Sequence, residues 1–442
     1  MGSNNSGKST AATAIYAACK AATSVRGMEG QARARAFSFF AARQSLSEYS
    51  EIEMTAVREA LDKVDRGRYQ DALIELASVI SEVVLRAFAK QFVEELEKGL
   101  GVPIADLATR SPSGRRLPLR IIFSEASWSV EVRLRGNSVN ISAQVTSPPD
   151  LPTESSVSQF FGSSYQLDET DVGLFLSLAG QDCARAILAS FPARAHYLPA
   201  ARAGLLQSHR LVAAALVQRS PRVGIGEVSM PALSGVVADF ISEILLNDTA
   251  VRSSRKGLQT VARQIQRSVM KGEVRQVTTD GGYPDIDFHD VSGSYPIHRT
   301  SSMVSELAPI VLLLNRTVQL GDLLIIEEPE SHLHPAAQVD LSRILFHACR
   351  SIQLLITTHS DFVLSEFNNQ LRRQSLTDHS DRDVSSSAYF MYRRHDVGCD
   401  IRRLEVTAID GIPEDSFAEV ATDLYNEQVS QQERLMDGTH EH

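Results

Sequence analysis

The sequence predicts an α/β fold built on a buried parallel sheet. Three observations carry that expectation. Near the start, a glycine-bounded polar loop runs into an alanine-rich stretch. In the C-terminal third, two short apolar runs, Leu323–Ile326 and Leu354–Thr357, are separated by a segment of helical periodicity. Each run ends in polar residues that can carry chemistry, and in open α/β sheets ligands sit at that end of the strands.

The 442 residues are 43% apolar and 22% charged, enough for one large domain carrying an inserted subdomain. A net charge of −10 argues against a surface coated in positive charge for wrapping nucleic acid, though not against a local basic groove. Cys19, Cys183, Cys349 and Cys399 lie far apart with no C-x-x-C pair, the pattern of idle thiols in a reducing compartment. No stretch approaches the ~18 apolar residues of a membrane span, and no signal peptide precedes the first motif. A cytoplasmic protein with no membrane partner is expected.

Gly2-Ser3-Asn4-Asn5-Ser6-Gly7-Lys8-Ser9 fits G-x-x-x-x-G-K-[ST] at every fixed position. Gly2 and Gly7 permit backbone angles that aim the N–H groups of the loop, Asn4, Asn5 and Ser6 included, at phosphates. Lys8 spans the β- and γ-phosphates, Ser9 offers a hydroxyl to Mg²⁺, and the helix from Thr10 onward presents its positive N-terminus. Ala11, Ala12, Ala14, Ile15, Ala17 and Ala18 favour that helix. Only Met1 precedes Gly2, so the buried strand that ordinarily carries such a loop is missing, which reads as an upstream start or a truncated form.

Leu323-Leu324-Ile325-Ile326-Glu327-Glu328-Pro329-Glu330 reads as a fully buried strand that delivers carboxylates at its end. Glu327 is placed to bind Mg²⁺, and Glu328 to orient and deprotonate an attacking water. A helix follows, with Ala336, Ala337, Val339, Leu341, Ile344, Leu345 and Ala348 at helical spacing. The second strand ends in Thr358-His359-Ser360, where a neutral His359 can donate to the γ-phosphate.

Gly2–Thr10, Ile325–Pro335 and Thr357–Ser360 together resemble the ABC-type ATPases of the RecF, SMC and OLD (overcoming-lysogenization-defect) group. More narrowly they look like the stand-alone AAA family ATPases found beside prokaryotic defence genes. The three motifs are then Walker A, Walker B with its D-loop, and the H-loop. The resemblance implies ATP and Mg²⁺ as cofactors, a homodimer that closes on nucleotide, and a separate effector protein. It also implies a signature motif that reaches the partner copy's γ-phosphate. Thr300–Leu307 is the best match, with Ser302 as signature serine and Met303 where glycine is common; a plain helix cap at Ser302 is the other reading. Leu307 to Leu314 is the helix expected behind it. Nothing resembling a TOPRIM nuclease follows His359.

Between the motifs, residues ~66–99 predict an amphipathic helix with Leu73, Leu76, Ile80, Val83, Val84, Ala87 and Phe88 on one face. Trp128–Leu134, Gly136-Asn137 and Val139–Ile141 predict a β-hairpin, matching the antiparallel subdomain that the resemblance implies. Tyr197–Leu198 reads as a strand end feeding Arg202, either a nucleotide sensor or one side of a salt bridge. Residues ~226–275 read as a mostly helical insertion. Its basic residues Arg252, Arg255, Lys256, Arg263, Arg267, Lys271 and Arg275 are either a nucleic-acid patch or a solvated or partner-facing surface. In the tail, strands are expected at Tyr389–Tyr392 and Arg403–Val406, and a helix at Asp415–Glu427.

The expected organisation is an N-terminal part of the ATPase core (1–200) with helical and β-hairpin elements, a helical insertion (201–290), and a C-terminal part of the core (291–442). The expected function is ATP hydrolysis by a nucleotide-driven dimer that regulates an effector. The alternative is a nucleotide-gated scaffold for DNA, RNA or protein with little turnover.

Overall fold

The computed structural model describes residues 7–27, 49–62, 69–107, 119–135, 138–151, 155–161, 171–207, 233–245, 256–278, 284–376, 384–394, 398–407, 409–413 and 422–432. The long helices of the N-terminal part are α1 (Lys8–Val25), α2 (Glu51–Asp62), α3 (Tyr69–Leu100) and α4 (Asp171–Ile187). Gly7 stands before α1 at φ 83, a left-handed conformation that glycine reaches without a side-chain clash. The predicted amphipathic helix is α3, but it buries more than one face, because α1, α4 and an antiparallel sheet surround it. At Gly99 a β-carbon would lie 2.8 Å from Thr13 Cγ2, so the approach of α3 to α1 depends on that missing side chain.

That sheet contains β1 (Leu119–Ser124), β2 (Trp128–Arg135) and β3 (Ser138–Val145) in sequence order. Trp128, Val130, Val132 and Leu134 alternate inward as the period-2 pattern predicts. Arg135 pairs with Ser138 across the hairpin. The turn residues 136–137 lie outside the described set. Phe123 of β1 packs edge-on to Phe88 and Phe92 of α3, with centroids 5.2 and 4.9 Å apart.

The parallel sheet has the order β4 (Ala195–Leu198), β8 (Leu323–Glu327), β9 (Gln353–Thr357). Every residue of β8 is buried. Helix α8 (Pro335–Ala348) makes the crossover from β8 to β9, capped by His334 with Pro335 in its first turn. Helix α9 (Asp361–Leu376) leaves β9 through Ser360, whose Oγ accepts from the Val363 N–H at 3.3 Å.

A second core joins Leu198 and Leu206 to α5 (Gly235–Leu245), α6 (Lys256–Gln264) and α7 (Ser302–Arg316), and reaches β8 and α8. Residues 235–245 and 256–264 are helical as expected. The chain then passes through a π-turn (Ile265–Met270) into an antiparallel sheet of β5 (Glu273–Thr278), β6 (Pro284–Asp290) and β7 (Gly293–Pro296), which the helical reading of this region did not anticipate. Helix α7 also begins earlier than Leu307, because Ser301 caps it. In the tail, β10 (Ala388–Arg394) pairs with β11 (Gly398–Leu404). This register starts β11 five residues before the expected Arg403, since Gly398 pairs with Arg394. Of the expected last helix, 415–421 lie outside the described residues; 422–432 are helical, so it runs past Glu427.

A buried polar tie joins the parallel sheet to α5. His196 Nδ1 lies 3.1 Å from both carboxylate oxygens of Glu243, and its Nε2 lies 3.1 Å from Asp322 Oδ2. Burial alone would favour the neutral ring, but Glu243 and Asp322 outweigh it and raise the pKa from 6.5 to about 9. A pKa raised by folding stabilises fully below the unfolded value and is lost as pH rises through the folded one. Stability to urea should therefore decline between pH 7 and 10, and His196→Gln should lower stability at pH 7 while flattening that decline.

Strand β9 differs from β8. Leu354, Leu355 and Ile356 are only half buried, and among the described residues no strand pairs with its outer edge. Beside that edge lies a cavity of about 1100 Å³, lined by Ala12, Cys19, Leu354, Ile356, Phe367 and Met391, with Lys8 at its rim. Its apolar walls and the ladder edge left unpaired among the described residues would accept one further strand. Fusing an apolar strand of about five residues directly ahead of Gly2 should raise Tm by roughly 3–5 °C over a Gly-Ser extension of equal length.

Candidate functional site

The site forms at the C-terminal edge of β8 and β9, under the N-terminus of α1. Lys8 is buried, and its amine lies in the field of Glu328, Glu330 and Glu327; burial outweighs them and lowers its pKa. Ser9 and Thr10 follow on the exposed side of the first turn. Gly2, Asn4, Asn5 and Ser6 lie outside the described residues.

Glu327 ends β8. Its Oε2 accepts from the Ala200 N–H at 3.2 Å, while its Oε1 is buried with no hydrogen-bond partner. A buried, unshared carboxylate oxygen beside a buried lysine is a costly arrangement that an incoming cation or its bound water relieves. The donor set therefore fits Mg²⁺ held by Glu327 and the Ser9 hydroxyl together with a nucleotide's own oxygens.

Glu328 takes φ 43, a left-handed conformation that costs on the order of 1 kcal/mol or more for a side-chain-bearing residue. Three non-glycine residues have positive φ among the described residues, and two of them, Glu328 and His332, lie in this turn. The strain has visible supports. The Glu328 N–H donates to the Thr357 carbonyl at 2.8 Å, and its own carbonyl accepts from the Ser331 N–H at 3.0 Å. The half-exposed carboxylate then stands 3.7 Å from His359 Nε2. Burial and Lys8 hold the His359 pKa below its ordinary value, so the ring is neutral at pH 7.

Glu330 is the residue that motif reading left without a role. Its Oε1 accepts from Thr358 Oγ1 and from the His359 N–H, both at 2.7 Å, so it locks the turn after β9 to the turn after β8. The signal was present in the sequence as a third acid after the strand, but its partner sits 28 residues later and is found only by folding.

Arg202 had two readings, and the structure selects the salt bridge. The guanidinium is fully buried, with Nε 2.9 Å from Glu306 Oε2. It also donates to the carbonyls of Glu327 at 2.6 Å and Glu328 at 3.2 Å. Ser302 is exposed at the start of α7 and is not the helix cap. That is Ser301, whose Oγ accepts from the Val304 N–H at 3.4 Å. Helix α7 packs on α6, α5 and β5, while Lys8, Glu327, Glu328, Glu330 and His359 gather at the sheet edge. In the basic segment, Arg263, Arg267 and Lys271 are exposed, while Arg275 pairs with Glu273 at 2.8 Å. Arg252 and Arg255 lie outside the described residues, as does the side chain of Lys256. No cluster of three or more His, Cys, Asp or Glu side chains suited to holding a metal unaided occurs among the described residues.

Residues 285–365 match the family described as AAA domain, putative AbiEii toxin, Type IV TA system. The likeness to that family is confined to this segment. The segment contains Ser302, Glu327, Glu328 and His359, and with the α/β architecture it supports the ABC-type ATPase group that the motifs resemble. Among solved structures, the chain is similar to an SMC head bound to the C-winged helix domain of ScpA, at 11% identity over 70% of this chain and 82% of that one, TM-score 0.34. It is also similar to the SMC head domain from Thermotoga maritima, at 10% identity over 67% and 78%, TM-score 0.28. A Smc head with a coiled coil and joint from Pyrococcus yayanosii matches at 13% identity and TM-score 0.25 over 35% of this chain, which spans 27% of that protein's length. No curated protein matches. No helix among the described residues is long and apolar enough to cross a membrane.

The Glu330 contacts make a stability prediction. Glu330→Ala strips acceptors from Thr358 and the His359 N–H and should cost about 2 kcal/mol in urea denaturation. Glu330→Gln, which keeps one acceptor oxygen, should cost less than half of that.

Proposed function

We propose that this chain binds Mg·ATP and hydrolyses it, acting as a homodimer whose nucleotide state regulates a separate effector protein. The observation that carries the reading is the gathering of Lys8, Glu327, Glu328 and His359 at one sheet edge, from segments more than 300 residues apart in sequence.

In this reading the Gly2–Gly7 loop cradles the phosphates and the buried Lys8 amine neutralises the β- and γ-oxygens. Ser9 and Glu327 hold Mg²⁺, which when bound supplies further charge neutralisation on the same oxygens. Glu328 accepts the proton of the attacking water; its half-exposed carboxylate is reachable from solvent. Neutral His359 donates to the γ-phosphate and loses that acceptor when the phosphate leaves. Ser302 of the partner subunit completes the site across the dimer, which is consistent with its exposed place at the start of α7. The effector and a role in prokaryotic defence belong to the same proposal and rest on the family resemblance.

Exposure of Arg263, Arg267 and Lys271 favours a second reading, a nucleotide-gated nucleic-acid scaffold with little turnover. Steeply salt-dependent binding of a DNA or RNA duplex, without multiple-turnover phosphate release, would select it.

The deciding measurement is Mg·ATP binding and steady-state phosphate release by the chain and by Glu328→Gln. Release should fall at least about 100-fold in Glu328→Gln with ATP affinity kept within about threefold. Absence of ATP binding in both proteins, also when an apolar strand is fused ahead of Gly2, would sink the proposal.

A further inference from the structure

The buried Arg202 links two places that sequence motifs treat separately, the turn after β8 and the N-terminal part of α7. Its Nη1 and Nη2 donate to the carbonyls of Glu327 and Glu328 at 2.6 and 3.2 Å. Its Nε donates to the carbonyl of Glu306 at 3.0 Å and lies 2.9 Å from the Glu306 carboxylate. Glu306 is buried too, and its other carboxylate oxygen lies 4.0 Å from His332 Nε2, in the same turn as Glu328. Ser302 stands four residues before Glu306, one helical turn away on the same face of α7.

We propose that Arg202 is a positioning residue for Glu328, and that through Glu306 it makes the setting of Glu328 depend on what engages the start of α7. The proposal rests on Glu328 being the hydrolytic carboxylate. The physical argument begins with strain. A residue at φ 43 holds that conformation only when its surroundings over-determine it, and the Glu328 carbonyl is one of the atoms that Arg202 pins. A guanidinium is a rigid planar fork, so its three donor positions cannot move independently. Any shift of α7 that carries Glu306 pulls on Arg202, and Arg202 then pulls on the two carbonyls that orient Glu327 and Glu328. The arrangement is buried and tightly packed, which favours discrete alternatives over gradual deformation.

A lysine at 202 keeps the charge but cannot bridge these acceptors, and Glu306→Gln keeps the shape of 306 while removing its charge. The test compares Arg202→Lys and Glu306→Gln with the parent chain in three readouts. These are ATP affinity, phosphate release, and backbone amide exchange over residues 325–333, with Tm as a check that both variants fold. Both variants should lower kcat at least about tenfold with the Kd for Mg·ATP held within about threefold. Amide exchange should accelerate around Glu328 but not along β9. Parallel loss of affinity and kcat would mark Arg202 as merely structural and overturn the proposal. So would a kcat within about threefold of the parent, or unchanged exchange around Glu328. If the parent binds no ATP, the hydrolytic reading fails by itself. The exchange readout then still decides whether Arg202 and Glu306 set the conformation of Glu328.

Discussion

Three carboxylates within four residues, at the mouth of a fully buried strand, are tolerable only because two buried cations face them. Lys8 approaches Glu327, Glu328 and Glu330 from α1, and Arg202 approaches the same group from the loop after β4. Each cation is desolvated, and each would be expensive to bury without the acids. The acids in turn would repel one another without the cations. This mutual requirement ties the first residues of the chain to its C-terminal third. It also leaves Glu327 Oε1 and Glu330 Oε2 buried without hydrogen-bond partners, so the balance is incomplete in the protein alone. Unspent acceptors beside a buried lysine suit an incoming cation, which is what the proposed function asks of this site.

The scaffold divides its work around that centre. Strand β8 is closed on both sides by β4 and β9, so its carboxylates emerge from a rigid edge. Helix α1 is wedged between α3 and the sheet, and Tyr16 and Tyr197 meet edge-on at 5.3 Å to fix its direction. Lys20 joins it to α3 and α5 through Glu95 at 3.1 Å and Asp239 at 2.8 Å. A strained glutamate, a neutral histidine and an exposed serine on a separate helix are thus supported by a frame that is mostly apolar and well packed.

Much of this was legible in the sequence. Apolar runs identified β8 and β9; β8 is buried on both faces, as such a run implies, whereas β9 is only half buried. Alternation identified β2, and alanine content with the preceding glycine identified α1. The β5–β7 sheet was not legible. Asp285, Ile286, Asp287 and Phe288 alternate within it, but Gly293 to Pro296 carries almost no strand signal, and its pairing with β6 is a tertiary event. Ser301 and Ser302 could not be told apart by residue type, since either hydroxyl can cap; only the backbone conformation of Ser301 distinguishes them.

The sequence by itself determined the residue types of the site and their attachment to strand ends, because phosphate cradles and buried strands tolerate few spellings. Only the tertiary structure decided which groups meet. It assigned Arg202 to a buried ion pair with Glu306, made Glu330 the latch on His359, and put the helix cap at Ser301 with Ser302 exposed beside it. Those outcomes depend on distances between segments far apart in the chain, and local composition carries no information about such distances.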